Sequence, residues 1–332
     1  MKRSLLPLLL AFALWGQAPT AWTPELSMQV RPVGDHYDPI VTVDGLRCWP
    51  SEPRWSELVD GSKLRRRRVN FENECNPLHL RSRKLKVGRD FDEVVLGISV
   101  GALPPICGEL SAANPRFKQM LDGSDTVMTE GIQLWLAKQA CQLGWDFESS
   151  IATSYVNVAD TYSNMSQLIP REKWRGSLCP EDTVYLCGVI DHRAVRSQED
   201  ANARVRANAR EFLTQNAKPV WPKGCNGDGS FDWDMLFDRK GRVGEKRLDA
   251  QFFRANFQPT ERYVMTRAGS VGSRLRADES GFANLKLAGD WTRNGIDGGS
   301  VEAAVTSGMQ ASRAICGSPR EIQGEKGWLV DD

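Results

Sequence analysis

Apolar and polar positions along the chain change their spacing three times, and each texture predicts a different kind of element. Over residues 28–89 the stretches IVTVDGLRCW and LHLRSRKLKV alternate apolar with polar positions, and the proline-bearing WPSEPRW interrupts them. This predicts short strands and turns, because a strand sends successive side chains to opposite faces. Val94, Val95, Leu96 and Ile98 then form a near-continuous branched run, as in a strand covered on both faces. Over residues 114–259 aromatic-bearing segments such as QLWLAKQACQLGW, NMSQLIPREKW and VYLCGVI alternate with loops. Among them SQEDANARVRANAREFLTQNA sets Ala201, Val205, Ala209 and Phe212 on one helical face and Arg204, Arg206 and Arg210 off it. A helix packed on one side is predicted there.

The last texture, residues 285–315, reads as strand, glycine-rich turn and helix. Leu285, Leu287 and Ala288 make a short apolar run, and Gly289, Gly295, Gly298 and Gly299 follow it. Ser300 is a good N-cap, with Glu302 in the first turn, Gly317 as the stop and Pro319 beyond. Small residues at Ala303, Ala304, Ser307, Gly308 and Ala311 suit close packing. Unpaired N–H groups at such a helix start favour a phosphate or an electron-rich ring edge. A carboxylate at Asp290 suits sugar or ribityl hydroxyls instead, since it accepts hydrogen bonds and repels phosphate. By spacing alone the stretch serves equally as an ordinary strand, loop and capped helix.

LAGDWTRNGIDGGSVEAAVTSGMQAS resembles the C-terminal flavin-contacting motif of the FAD-dependent amine oxidase and carotenoid (phytoene) desaturase superfamily. The resemblance implies that Gly289 and Asp290 meet the ribityl or pyrophosphate region of FAD. It further implies that Gly299, Ser300 and Val301 present backbone N–H groups to the flavin, with Trp291 and Glu302 completing the cofactor-binding set. FDEVVLGISVGALPPICGEL resembles the family's later FAD-domain strand and its proline-bearing helix start, and RYVMTRAGSVGSRL its lead-in to the final FAD strand. Weaker similarity runs through most of residues 37–317. The implied fold is α/β (α+β): an incomplete Rossmann-like FAD/NAD(P)-binding domain with a discontinuous substrate-binding domain of mixed sheet and helices.

Two departures qualify the implied activity. The family's opening G-x-G-x-x-G, which holds the dinucleotide's adenosine end, has no counterpart here, and GCNGDGS has the wrong glycine spacing and reads as a loop. Where many amine oxidases place a water-holding lysine on a substrate-domain strand, a loose match of GIQLWLAKQ puts Gln133. An amide offers no tunable ammonium, which argues against oxidation of a simple amine. Desaturase-like members do not depend on that lysine, and the flavin itself accepts the hydride, so no catalytic residue is assigned.

Composition narrows the classes further. The chain has 332 residues, 41% of them hydrophobic, 11 Trp and a formal net charge of +1, which fits a globular chain large enough for two domains and argues against a nucleic-acid partner. The one basic run, residues 65–68, reads as a solvated strand or loop. Eight cysteines without C-x-x-C spacing and three histidines predict no zinc site, and VYLCGVI and RAICG suggest small buried thiols at Cys187 and Cys316. Trp135, Trp145, Tyr155, Tyr162, Trp174 and Trp221 suit either a core or the lining of an apolar substrate tunnel.

Lys2 and Arg3 before SLLPLLLAFALWG and QAPTA resemble a secretory signal, with an apolar run too short for a membrane span. The cytoplasm, where members of the superfamily load their cofactor, is the expected location, with export through that segment the alternative. The expected organisation is an apolar segment over 1–22, FAD-domain strands over 23–113, a substrate domain over 114–259, the C-terminal FAD segment over 260–318 and a tail over 319–332. Three functions stay open. One is a truncated FAD-dependent oxidoreductase acting on a small organic substrate, with a second chain able to supply the missing dinucleotide-binding segment. The others are a remnant or interaction module without flavin, and an exported binding protein.

Overall fold

The computed structural model describes residues 21–326 apart from 23–24, 29, 35–36, 44, 51, 72–80, 148, 175, 177, 192 and 194. Residues 1–20 of the apolar segment, residues 327–332 of the tail, Cys75 and the three histidines His36, His79 and His192 lie outside the described residues. Helices and sheets are mixed, and the chain divides into two units, Met1–Asp125 with Val264–Asp332, and Thr126–Tyr263. It passes from one to the other within short strands, β6 (Asp125–Val127) and β12 (Tyr263–Met265).

In the first unit the alternating stretches form short strands. β1 (Glu25–Met28) pairs antiparallel with β4 (Arg81–Lys84), and β2 (Val41–Val43) makes a hairpin with β3 (Leu46–Cys48). The basic run is exposed as expected, but only its second half, Arg67 and Arg68, is a turn. Arg65 and Arg66 close a helix, α1 (Gly61–Arg66), and Arg68 follows at a positive φ of 51°. Straight-chain arginines are good helix formers, so like charge alone did not keep this exposed turn extended.

The branched run becomes β5 (Val94–Leu96), and the late apolar run becomes β13 (Leu285–Leu287). They pair in parallel, Leu285 opposite Val94 and Leu287 opposite Leu96, with hydrogen bonds of 2.8 Å from Val94 N to Asn284 O and 3.0 Å from Ala288 N to Leu96 O. After β5 come α2 (Leu103–Ile106), α3 (Gly108–Ala113) and α4 (Pro115–Gly123). Asn114 caps α4 by accepting from Arg116 N at 3.0 Å, with Pro115 at the first helical position. Leu103, Leu110, Phe117 and Met120 from these helices pack with Val94, Leu96, Leu285, Leu287 and Trp291 in one core. Trp22, the last residue of the expected N-terminal segment, is buried in that core, and Asn284 holds its backbone N (2.7 Å) and O (2.9 Å).

The long final helix is α8 (Val301–Cys316), capped by Ser300 and stopped by Gly317 at φ 75°. Its buried residues are Ala303, Thr306, Ser307, Gln310 and Ala311. Ala304 and Gly308 are exposed, contrary to the close packing expected of them, because they fall about 100° around the helix from the buried row. Cys316 is also exposed rather than buried, one turn after Ser312, whose carbonyl its thiol approaches at 3.2 Å.

The second unit is built on a five-stranded antiparallel sheet in the order β11 (Phe252–Ala255), β7 (Thr129–Leu136), β10 (Asp182–Val189), β9 (Thr161–Asn164), β8 (Ile151–Ala152). A short helix, α5 (Ala140–Leu143), follows β7. Ile132, Leu134 and Leu136 of β7 share one face with Val184 and Leu186 of β10, all fully buried. The predicted amphipathic helix is α6 (Gln198–Glu211), and its Ala201, Val205 and Ala209, with Phe212 after it, join the same core. Burial of one such Leu side chain contributes about 2 kcal/mol. The chain continues through α7 (Ala217–Val220) to Trp221, whose indole donates to the Tyr162 hydroxyl at 3.1 Å inside the core. Among the described residues no helix is long and apolar enough to cross a membrane.

Candidate functional site

In the first unit the parallel pairing of β5 and β13 brings two strand ends together, Gly97 after one and Ala288 after the other. Parallel strands release their chains at the same edge, where ligands of α/β sheets bind. Gly289 sits at that edge with φ 147°, and its N–H donates to Ser307 Oγ of α8 at 2.9 Å. A Cβ at Gly289 would meet the Trp291 indole nitrogen at 2.3 Å, so conformation and space both demand glycine. Trp291 itself is fully buried and donates its Nε1–H to Ile98 O at 2.9 Å. Its side chain therefore ties the two strand ends together and faces the core.

Asp290 and Gly299, nine residues apart, are neighbours. A Cβ on Gly299 would lie 3.1 Å from Val264 O and 3.7 Å from Asp290 Oδ2, so the missing side chain opens the approach to that carboxylate. The Asp290 carboxyl is half-buried, and burial raises its pKa above the usual aspartate value while the Arg274 guanidinium opposes the rise. Ser300 has extended backbone, and its hydroxyl accepts from Ala303 N at 3.1 Å. That oxygen is used in capping. Val301 and Glu302 start the helix, both exposed, and the first-turn N–H groups of this 16-residue helix point outward from its start.

Sequence reasoning missed the support beneath this loop. Arg274 is buried, donating from Nη1 to Asp290 O (2.9 Å) and from Nη2 to Thr266 Oγ1 (2.7 Å), and Thr266 in turn donates to Asp297 O (2.9 Å). Burial lowers the Arg274 pKa, and the carboxylates of Asp297 and Asp290 counter it. A guanidinium remains charged at neutral pH even so. Within the loop Asn294 Oδ1 accepts from Ile296 N (3.0 Å) and Asp297 N (3.1 Å), while Asp297 Oδ1 accepts from Asn294 N (2.9 Å). Thr292 Oγ1 donates to Ser307 Oγ (2.8 Å), and Gln310 Nε2 reaches Asn294 O (3.2 Å). The only trace of this in the chain was an arginine in a stretch already noticed, RYVMTRAGSVGSRL.

In the second unit Gln133 lies on β7 facing away from the helix-covered core. Its amide donates to Glu172 Oε1 at 2.8 Å and Thr183 Oγ1 at 3.3 Å, so it belongs to an internal network. Of the aromatics considered for a tunnel, Tyr162 and Trp221 are fully buried core. Trp135 and Trp174 are half-buried, and both donate their indole N–H to Glu172 Oε2, at 2.7 and 2.8 Å. Cys187 is half-buried. No group of three or more His, Cys, Asp or Glu side chains is placed to hold a metal among the described residues.

No family model matches the chain, and no curated protein matches it. Among solved structures, an oxidoreductase from Methanosarcina mazei is similar with a TM-score of 0.42 and 13% identity, over 70% of this chain and 44% of that one. The chain thus spans less than half of that protein's length, and similarity at this level assigns no activity.

Proposed function

We propose that the chain is an FAD-dependent oxidoreductase of the amine oxidase and desaturase type, with residues 288–302 forming the flavin end of its cofactor site. The observation that carries this is the meeting of the Asp290 carboxylate with the side-chain-free Gly299 at the start of α8. A hydrogen-bond acceptor for hydroxyls stands beside unpaired helix N–H groups and an opening that a Cβ would fill, which is the donor and acceptor set a ribityl chain and a flavin ring edge require. These residues fit the group.

When bound, FAD supplies a hydride acceptor, so the protein needs to provide orientation and electrostatics and no nucleophile. Asp290 would accept from the ribityl hydroxyls, and Arg274, anchored on Asp290 O, opposes the rise in pKa that burial imposes on that carboxyl. Backbone N–H groups of Gly299, Ser300 and Val301 would face the ring. Gln133 is held by Glu172 and carries no titratable ammonium, which favours an organic substrate other than a simple amine. With no G-x-G-x-x-G in the chain, the reading gives it the flavin end only.

The test is reconstitution of the full chain with riboflavin, FMN and FAD, followed by desalting and a visible spectrum. Retained yellow flavin is expected, with similar affinity for all three because the site holds the part they share. Asp290→Ala should weaken each by about tenfold, the loss of one or two hydrogen bonds to a charged group. If none of the three is retained, the reading fails and an interaction module without flavin is left, the alternative that the missing glycine motif favours.

A further inference from the structure

The formal net charge of the whole chain is +1, yet residues 61–68, GSKLRRRR, hold five basic side chains and no acidic one. Lys63, Arg65, Arg66, Arg67 and Arg68 are all exposed. Arg65 lies 3.7 Å from Glu52, and the other four have no ion-pair partner among the described residues. In the same part of the first unit Trp49 is 70% exposed, Leu46 69%, Val33 60% and Val43 48%. None of these residues serves the flavin reading. We propose that this part of the chain docks on an anionic lipid surface, the arginines on headgroup phosphates and the tip of the β2–β3 hairpin with Trp49 in the boundary between headgroups and acyl chains.

The backbone crowds these charges together. Arg67 N donates to Lys63 O (3.1 Å), Arg68 N to Arg65 O (2.9 Å) and Val69 N to Leu64 O (3.1 Å), so the run coils and turns back at the positive φ of Arg68. From the first to the fourth of such residues a helix advances about 5 Å and a strand about 10 Å. Like charges held this close repel one another, and a layer of lipid phosphates supplies the missing counter-charge. Nearby carboxylates do not supply it. Glu57 pairs with Arg54 (3.2 Å), Glu52 receives Arg65 and the Trp55 indole N–H (2.9 Å), and Asp60 stands at the opposite end of α1 from the arginines.

The apolar side chains adjoin this run. Val43 stands opposite Leu46 and Val41 opposite Cys48, so these four share one face of the hairpin, with Thr42 and Arg47 on the other. Val41 and Cys48 are half-buried, and Val43 and Leu46, next to the turn, are exposed. Several bonds tie the hairpin to α1. Arg54 Nη2 donates to Ile40 O at the entry to β2, and Glu52, which Arg65 approaches, follows Trp49 by three residues and so lies within about 11 Å of it along the chain. Val33 N donates to Glu57 O (2.7 Å) and Val59 N to Arg31 O (2.8 Å). Gly61 begins α1 so close to this segment that a Cβ there would meet Trp55 O at 1.8 Å. The aliphatic character of Val33, Val43 and Leu46 favours lipid over nucleic acid, whose bases stack on aromatic rings and guanidinium planes. An exposed apolar patch with a tryptophan beside a basic cluster suits the membrane interface, and no spanning helix is needed.

Co-sedimentation of the full chain with vesicles tests the proposal, using phosphatidylcholine alone and phosphatidylcholine mixed equally with phosphatidylglycerol. Binding to the mixed vesicles is expected to be at least about tenfold tighter than to phosphatidylcholine. It should weaken but persist at about 1 M salt, where the screening length is about 3 Å and the apolar contact remains. Arg66→Gln, Arg67→Gln and Arg68→Gln together should weaken binding at low salt by about a hundredfold. Leu46→Ser with Trp49→Ser should abolish the binding that persists at high salt. All five positions are exposed, circular dichroism checks that each variant is folded, and Lys240→Gln in the second unit should change nothing. Absence of co-sedimentation with the mixed vesicles overturns the proposal, as does equal binding to phosphatidylcholine or a triple arginine variant that binds as the unaltered chain does. Binding that vanishes at high salt overturns it too, since the hairpin then makes no apolar contact, and tighter capture by a single-stranded oligonucleotide would make nucleic acid the partner instead. Flavin retention is measured separately and bears on none of these outcomes.

Discussion

Glu130 allows a quantitative test of the second unit. It sits on β7 in phase with Ile132, Leu134 and Leu136, so its side chain enters the face covered by α6, where it is 1% exposed. Oε2 accepts from Asn208 Nδ2 at 2.8 Å, and Oε1 has no partner. Burial raises its pKa from 4.5 to about 7, with Asp160 adding to the rise and Asn208 and Arg204 opposing it. The folded state therefore binds this proton more tightly than the unfolded chain does. Its contribution to stability is complete below about pH 4.5 and is lost as pH rises through about 7. A difference of 7 minus 4.5 is 2.5 units, and at 1.36 kcal/mol per unit the loss is about 3 kcal/mol. Glu130→Gln keeps the shape and an oxygen for Asn208 and removes the titration. Urea unfolding followed by tryptophan fluorescence between about pH 5 and 8 should show the variant gaining on the parent by about 2.5 kcal/mol across that range, the remainder of the loss lying below pH 5. Comparing the two proteins at each pH cancels every other titrating group they share. Parallel curves, with a constant difference at all pH values, would refute a neutral buried carboxyl at this position.

Three further outcomes concern the first unit. Gly289→Ala should lower unfolding free energy by at least about 3 kcal/mol, since it combines left-handed strain with a collision against the Trp291 indole, and urea midpoints will measure it. Arg274→Met should cost about 3 kcal/mol because it leaves Asp290 and Asp297 without their buried counter-charge, and a loss under about 1 kcal/mol, the size of an exposed ion pair, would show the arginine to be peripheral. Ser300→Ala removes the cap of α8 and should cost about 1 kcal/mol by the same measurement.

The strand, turn and helix of residues 285–317 were legible because every signal involved is local. An apolar triplet, a cap three residues before the N–H that donates to it and a glycine in the left-handed region after the last turn all lie within one window of sequence. Helix α6 was legible for the same reason. What failed was anything decided by rotation or distance. Ala304 and Gly308 are as small as Ala303 and Ser307, and only the phase of α8 on β13 separates outside from inside. Cys316 follows an apolar pair yet lies on the exposed side. Glu130 was half legible: the alternation of TEGIQLWL points it inward, but its partner Asn208 is 78 residues away on a different element. The joining of Trp135 and Trp174 through Glu172 was invisible, because it depends on a turn that brings residue 172 back over β7.

Buried polar groups of the first unit converge on one place, and that convergence bears on what the loop is for. Arg274, Thr292, Asn294, Ser307 and Gln310 are all at or below 9% exposure, and hydrogen bonds join each of them to the chain between Gly289 and Asp297 or to a neighbour in this set. Placing so many polar groups away from water is unfavourable unless each finds a partner, and the partners then hold one backbone shape and few others. A mere connection from β13 to α8 could run over the surface with water as its partner. Here the interior dictates the path, including the positive φ of Gly289 and Asp297, so the same buried bonds fix the relative positions of the Asp290 carboxylate and the α8 N-terminus. Rigidity of that kind lowers the entropy lost on binding. It also makes the loop sensitive to its foundation: Arg274→Met and Asp290→Ala should both weaken flavin retention, the first through the shape of the loop and the second by direct loss of an acceptor.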